Sequence, residues 1–214
     1  MNESTDTRTA LLDAARHLFA MKGYDGTSIK DITTRAGANL GAVTYHFGTK
    51  DALYTETLRS LTEPLAPRIG VLKSKKGTPL ERIEQYMRGY FTYLAQNPEL
   101  PSMLFQELAL HRQIPDPIKA VMRPMFGLLA ANISEGQEEG SIITGDPVLL
   151  ALSVIAQPAW IIVMREALHE VAGLEINKPE TRERVLEHII AVTHRNLTNP
   201  AGHATGGEGK GGSR

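Results

Sequence analysis

Two short helical segments joined by a glycine turn lie between residues 28 and 50, and no other feature constrains the fold as strongly. Ser28, with Asp31 three positions later, is a variant of the capping box, which marks the start of a helix. Apolar residues at spacings of three and four then give this helix one packing face. Gly37 follows where a left-handed conformation reverses the chain at little steric cost. The pattern predicts a helix-turn-helix.

The second segment, predicted as a helix over residues 40–47, has a narrow apolar side and a wider polar side. Asn39 is its predicted N-cap, and Val43 and Phe47 form its apolar stripe. The other side carries Gly41, Ala42, Thr44, Tyr45 and His46. Small side chains let a backbone approach a surface closely, and hydroxyl or imidazole groups can bind phosphates or base edges. This composition is typical of a helix that lies in a DNA groove.

A further helical stripe precedes the helix-turn-helix. Its apolar positions are Leu11, Ala15, Leu18 and Phe19, and it ends at Gly23. We expect this helix to pack against the other two and hold their relative orientation. Three helices of this size form a minimal DNA-binding module.

A series of short motifs runs in order from Thr7 to Leu53, over about a quarter of the chain. They are Leu18-Phe19-Ala20, Lys22-Gly23-Tyr24, Thr27-Ser28-Ile29, Asp31-Ile32, Arg35-Ala36-Gly37, Gly41-Ala42-Val43, Tyr45-His46-Phe47, Lys50 and Ala52-Leu53. This run closely resembles the N-terminal domain of the TetR family of bacterial transcriptional repressors. Residues 135–140, before a long apolar segment, also resemble members of that family.

The resemblance implies a repressor that binds a palindromic operator in double-stranded DNA as a homodimer. It places phosphate contacts on Ser28, Tyr45, His46 and Lys50. It places contacts with base edges or sugars on Asn39, Leu40, Gly41, Ala42 and Thr44. For Leu40, contact with a thymine methyl and packing on the first helix are both open.

The rest of the chain shows helical periodicity only, so the predicted fold class is all-α: a three-helix N-terminal bundle followed by a larger helical domain for ligand binding and dimerisation. The predicted helices are 50–73 (interrupted by Pro64 and Pro67), 79–97, 102–112, 118–135, 146–172 and 179–197. The predicted domains are a DNA-binding domain over 6–52, an effector-binding and dimerisation domain over 53–197, and a glycine-rich disordered tail over 198–214.

The resemblance also implies an effector pocket and a dimer contact in the larger domain. Aromatic and methionine side chains, which repack around varied apolar shapes, identify the candidate pocket: Tyr86, Tyr90, Phe91, Leu94, Leu104, Phe105, Leu108, Met122, Phe126, Trp160 and Met164. We expect a small hydrophobic effector, with or without one acidic group. Pro124 and Pro158 are expected to disrupt their helices. The resemblance places the dimer contact on helices 146–172 and 179–197, whose apolar residues include Leu150, Val154, Ile161, Leu186, Ile189, Ile190 and Val192.

Charge and composition limit the partners and sites that this chain can have. The formal net charge is −1, and residues 22–50 carry four basic against two acidic side chains, a modest surplus for a DNA-binding surface. The chain has no cysteine, which excludes disulfides and cysteine-ligated metals. No secretory signal is visible and the longest apolar stretch is interrupted, so we expect a cytoplasmic protein without membrane contact.

A second class of function is a helical-bundle enzyme or metal-binding protein with a coincidental helix-turn-helix. Glu166 and His169 have the spacing of half a di-iron carboxylate site, and Glu107 and His111 are four positions apart. The sequence offers no second Glu-x-x-His pair, no nucleophile with its base and no cofactor loop. We therefore expect no enzymatic activity, no cofactor and no bound metal.

Overall fold

A computed structural model describes residues 3–109 and 114–198, and within these ranges every regular element is helical. The helices are α1 (Glu3–Lys22), α2 (Ile29–Ala36), α3 (Ala42–Phe47), α4 (Lys50–Thr62), α5 (Ala66–Gly70), α6 (Pro79–Gln96), α7 (Glu99–Ala109), α8 (Asp116–Glu138), α9 (Pro147–Val163), α10 (Arg165–Ala172) and α11 (Pro179–Leu197). The all-α prediction is confirmed for this part of the chain. The predicted tail lies outside the described residues except for Thr198.

Helices α1, α2 and α3 form a small bundle, which we call the head, and helices α6 to α11 form the body. The predicted capping box is present at the start of α2: the amide of Asp31 donates to Ser28 Oγ over 3.1 Å, and the amide of Ser28 donates to Asp31 Oδ2 over 3.1 Å. Gly37 ends α2 with φ of 65°, in the left-handed region. Apolar side chains from α1, α2, α3 and α4 fill the head: Leu11, Ala15, Phe19, Ile32, Val43 and Leu53.

The predicted cap of α3 is wrong. Gly41, in a near-helical conformation with φ of −75° and ψ of −12°, occupies the N-cap position, and no side chain caps this helix. Asn39 instead accepts through its backbone carbonyl, from the amide of Ala42 over 3.0 Å. The turn closes through main-chain groups before the helix begins, so the Asn39 side chain stays exposed.

Helix α4 runs from the head into the body, across the predicted domain boundary at residues 52 and 53. Its continuation is interrupted at Pro64 and Pro67, as predicted, because a proline ring has no amide to donate. Two 3₁₀ turns, Glu63–Leu65 and Val71–Lys73, flank the short helix α5. Helix α7 begins at Glu99, earlier than predicted, because Pro101 lies in its first turn, where the missing amide is tolerated.

The body packs around α6, α8 and α9, whose buried side chains form one apolar core. Two of our predictions about these helices are wrong: α8 and α9 continue through Pro124 and Pro158 without a break. The predicted helix over 146–172 instead ends at Val163, and α10 leaves at an angle of 67°. The residues predicted to begin and end this region are confirmed. Asp146 caps the start of α9, and Gly173 ends α10 with φ of 64°.

Within the described ranges, no single helix combines the length and the apolar character needed to cross a membrane. By length and composition alone, α9 and α10 taken together would meet that test as a bent pair.

Candidate nucleic-acid interface

Helix α3 turns one side inward and presents the other to solvent. Val43 is fully buried, whereas Tyr45 is 80% and Leu40 63% exposed. Gly41 and Thr44 are exposed on the same side. Leu40, in the turn before α3, and Tyr45, on α3, thus expose two large apolar side chains close together in the chain, which is a common feature of interaction sites. The solvent side of α3 therefore has the character of a contact surface.

Ring contacts connect neighbouring side chains of this surface. The rings of Tyr45 and His46 meet edge to face with centroids 4.8 Å apart, and the His46 ring lies 6.2 Å from that of Phe47. The guanidinium of Arg8 lies 5.1 Å from the centre of the Phe47 ring. The His46 imidazole lies between two neighbouring rings, which restricts its side chain, whereas the Tyr45 ring stays 80% exposed.

A cation lies at the end of the same surface. Lys50 Nζ is 4.1 Å from the centre of the Tyr24 ring, within the range of a cation–π contact. The Tyr24 hydroxyl donates to a carboxylate oxygen of Asp51, and its ring packs against those of Phe19 and Tyr54. The ammonium is thus held beside the first turn of α4.

The turn between α3 and α4 adds two residues that the sequence reasoning missed. Gly48 has φ of 80°, which side chains other than hydrogen rarely allow. Thr49 caps α4 by accepting from the amide of Ala52 over 3.1 Å. The first amides of α4 point away from the helix and carry partial positive charge, which favours a phosphate. A threonine followed by Lys50 and Asp51 is the local signal that would have identified this cap.

Two predicted DNA-binding residues are placed less favourably. Ala42 is only 6% exposed, because it packs inside the head, so its predicted contact with bases or sugars is not available at this surface. Ser28 is exposed, but its hydroxyl is 2.7 Å from Asp31 Oδ2 within the capping box. Those hydrogen bonds lower the pKa of the Asp31 carboxyl, so the carboxylate keeps hold of the Ser28 hydroxyl at neutral pH. Backbone amides at the start of α2 remain available beside it.

Comparison with known proteins identifies this arrangement. Residues 11–57 match the family model described as bacterial regulatory proteins of the tetR family. Residues 79–192, just over half of the chain, match the model described as the tetracyclin repressor-like C-terminal domain. The chain belongs to the TetR family. The predicted family, and with it a regulatory protein that carries a helix-turn-helix, are confirmed.

Curated members of the TetR family include several relatives of this chain. It is 26% identical over 137 residues to the transcriptional repressor NicS of Pseudomonas putida, an alignment that covers 63% of this chain and 65% of NicS. It is 27% identical over 118 residues to the repressor AcnR of Corynebacterium glutamicum, covering 55% and 56%. The alignments span less than two thirds of the length of these relatives.

Solved structures share the fold over most of the chain. The ketosteroid transcriptional regulator KstR2 of Mycobacterium tuberculosis superposes with a TM-score of 0.73 at 20% identity, covering 90% of this chain and 95% of that one. The hemolysin II transcriptional regulator HlyIIR superposes with a TM-score of 0.67 at 21% identity, covering 92% and 99%. These structures support the TetR arrangement of an N-terminal head on a helical body.

In this TetR-family chain, helix α7 joins the head to the body. Gln106 Nε2 donates to the carbonyl of Ala20 at the end of α1 over 2.6 Å. At the next residue of α7, the buried carboxylate of Glu107 accepts from the Tyr54 hydroxyl of α4 over 2.6 Å. The two bonds hold α1 and α4 against the same helix, so a movement of α4 is transmitted to the head.

The predicted effector-pocket residues differ widely in burial, and two of them, Phe105 and Trp160, have ring centroids 5.5 Å apart. Tyr86 and Phe91 are fully buried in the core, where the ring of Tyr86 stacks on that of Tyr90 at 5.4 Å. Trp160 is 51% and Leu108 44% exposed. Of the others, Tyr90 and Leu94 are buried. The partly buried residues are Leu104, Phe105, Met122, Phe126 and Met164. Within the described residues the Tyr86 hydroxyl is buried without a hydrogen-bond partner, and burial raises its pKa well above the usual range.

A cavity of about 590 Å³ lies elsewhere, between α4, the segment around α5 and the first half of α8. None of the predicted pocket residues lines it.

The residues predicted for the alternative function, an enzyme or metal-binding bundle, are not brought together in the described part of the chain. Glu166 and His169 are exposed, and His111 lies outside the described residues. The described part of the chain contains no group of three or more His, Asp or Glu side chains placed to hold a metal ion.

Proposed function

We propose that this TetR-family protein is a cytoplasmic, non-enzymatic transcriptional repressor that binds a palindromic operator as a two-fold dimer and is released by a small, mostly apolar effector. The observation that carries the DNA-binding proposal is the solvent side of α3, where Tyr45 and Leu40 are exposed beside the fixed ammonium of Lys50. The names of the relatives NicS and AcnR, both transcriptional repressors, support it.

In the proposed complex, α3 enters the major groove. One set of phosphate contacts comes from Tyr45, His46, Lys50 and the first amides of α4. A second phosphate lies near Ser28, at the start of α2. Thr44, Asn39 and Gly41 face base edges or sugars. The 63% exposure of Leu40 supports contact with a thymine methyl over packing on α1.

A dimer is needed because one head is a weak binder. The net charge of the chain is −1, so long-range attraction to DNA is small. A single head also contacts too few base pairs to select one genomic site, whereas two heads on a palindrome double the contacts.

The proposed dimer surface differs from the prediction in its residues. Leu186, Ile189 and Ile190 of α11 are buried inside their own chain, so they are core side chains and are not available to a partner. The apolar side of α9 that stays exposed is formed by Val148, Leu149 and Leu152, at 55%, 62% and 48%. We place the contact with the second copy on this side of α9 and on the polar outer side of α11.

The first test is DNA binding by the full chain. We expect it to bind a fluorescent fragment of the DNA upstream of its own gene more tightly than a scrambled fragment, with affinity that falls as salt rises. Fluorescence anisotropy at several salt concentrations measures both. Equal affinity for the two fragments would refute a sequence-specific repressor.

A further inference from the structure

The cavity beside α4 has the size and walls of a small-molecule site. Its volume of about 590 Å³ lies in the usual range for ligand pockets. Most of its walls are apolar, and they include Ala66, Ile69, Ala120, Val121 and Leu128. A mostly apolar molecule would gain by leaving water for these walls.

The charged groups around the cavity balance. Arg59 and Lys73 are opposed by Glu63 and Asp116. Arg59 and Asp116 are also paired with neighbours on their own helices, over 2.6 Å and 3.2 Å. An ionised ligand would lose hydration without meeting a surplus of opposite charge, so the cavity favours an uncharged one.

The proline in one wall leaves a main-chain carbonyl without its usual helical donor. In an uninterrupted helix, the amide of residue 124 would donate to the carbonyl of Ala120, four positions earlier. Residue 124 is a proline inside α8, which has no amide to donate. Ala120 and Pro124 both line the cavity. A ligand hydroxyl can supply the donor that the helix lacks.

We propose that this cavity binds a small, uncharged, mostly apolar molecule with a hydroxyl group, and that it is the effector site. The regulatory part rests on the proposed function. Thr55, Arg59 and Thr62 of α4 form one wall, and α8 forms the opposite one. An occupant therefore sets the separation of α4 from α8. Because only two residues separate the start of α4 at Lys50 from the end of α3, the proposed recognition helix, the position of α4 sets that of the head.

The binding test uses the fluorescent dye Nile red, which is apolar and uncharged, and four competitors with the same ten-carbon chain. We expect 1-decanol to displace Nile red at concentrations about fivefold lower than methyl decyl ether, which cannot donate a hydrogen bond. Decanoate and decylammonium should both compete more weakly than 1-decanol. Tighter binding of either ion would overturn the assignment of an uncharged ligand.

Two variants locate the site. Ala120→Trp fills the cavity from its exposed rim and should abolish displacement by 1-decanol, whereas Ala131→Trp, also exposed on α8 but away from the cavity, should preserve it. Pro124→Ala restores the missing amide and should remove the preference for 1-decanol over the ether. Thermal unfolding followed by circular dichroism confirms that each variant folds. Phe105 belongs to the pocket predicted from the sequence and does not line this cavity. If 1-decanol still displaces Nile red from Ala120→Trp but not from Phe105→Ala, the proposed location is wrong.

Operator binding is measured in the same samples by fluorescence anisotropy. We expect 1-decanol to weaken it about fivefold or more in the parent protein, a typical size of allosteric coupling, and to leave it unchanged in Ala120→Trp. Failure of the ligand-free protein to bind its operator would overturn the repressor proposal while the displacement results stand. Displacement of Nile red with unchanged operator affinity would overturn the effector assignment alone.

Discussion

The hydroxyl of Tyr54 on α4 donates a hydrogen bond of 2.6 Å to Glu107 on α7, a carboxylate that is only 6% exposed. The Tyr54 ring also packs edge to face on Phe19 of α1, with centroids 4.9 Å apart. One side chain therefore contacts the head and the body at the same time. The orientation of α4 between them depends on a buried polar contact, which is more sensitive to single substitutions than apolar packing is.

Tyr54→Phe should destabilise the protein, because the buried carboxylate of Glu107 would lose the donor described for it. We expect the free energy of unfolding to fall by about 1–3 kcal/mol. Urea unfolding followed by circular dichroism measures this change. Tyr45→Phe is the matched control, since it removes a hydroxyl from a side chain that is 80% exposed and should leave stability unchanged. Equal effects of the two variants would show that the contact contributes nothing specific.

Lys50→Ala should weaken DNA binding on every sequence and reduce the slope of log affinity against log salt by about one unit. The reason is that the variant removes one cation at a phosphate and leaves base contacts in place. Anisotropy titrations over a range of salt concentrations give the slope. Lys75→Ala removes an equal charge from an exposed loop residue outside the head and should change neither quantity. An unchanged slope for Lys50→Ala would argue against its proposed position.

Thr44→Val and Leu40→Ala should change which base is preferred at one operator position each, at a cost of about 1–3 kcal/mol for the original base. Tyr45→Phe should instead weaken all sequences alike, because it removes a proposed phosphate contact. Binding to a library of operators with single substitutions separates the two patterns. A uniform loss for Thr44→Val would place that residue on the backbone of the DNA.

Leu149→Glu should convert the proposed dimer to monomers, because it places a charge on the exposed apolar side of α9. Multi-angle light scattering at micromolar concentration measures the mass. Met21→Glu is the control, since Met21 on α1 is 64% exposed, close to the 62% of Leu149, and lies outside the proposed contact. A parent protein that is monomeric under these conditions would contradict the dimer, whatever the variants do.

Asp31→Ala should lower the melting temperature at pH 7, and the difference from the parent protein should shrink in acid. Hydrogen bonds from Ser28 lower the pKa of Asp31 below its ordinary value of 3.8. The stabilisation is therefore complete above that value and is lost as the pH falls through the lowered pKa. Melting curves at pH 7 and below pH 3.8 test this. A difference that stays constant with pH would mean that the capping charge is irrelevant.

Features determined by near neighbours in the chain could be predicted from the sequence. The capping box at Ser28, the left-handed Gly37 and Gly173, and the cap at Asp146 each depend on residues within about four positions. The cap of α3 is an exception among local features. There, Gly41 lets the main chain close the turn without the Asn39 side chain, and such competition between two local solutions is not visible in the pattern.

Features that depend on packing between distant segments could not be predicted. Ile189 and Leu149 are both apolar residues of helices, yet one is fully buried in its own chain and the other is exposed. Periodicity identifies the apolar side of a helix but does not say whether the chain itself or a partner covers it. The same holds for the cavity, because Thr55 and Ala120 are far apart in sequence and meet only when α4 packs on α8.

The length of α4 has a geometric consequence for recognition. Its 13 residues at a rise of about 1.5 Å each give a rod about 20 Å long between the body and the recognition helix. A rotation of about 5° around the body end would move the other end by about 1.7 Å. In a two-fold dimer the two recognition helices would separate by about twice that distance, close to the rise of about 3.4 Å between successive base pairs. A rotation small enough to leave the core intact would thus put the two recognition helices out of step with the two half-sites by one base pair.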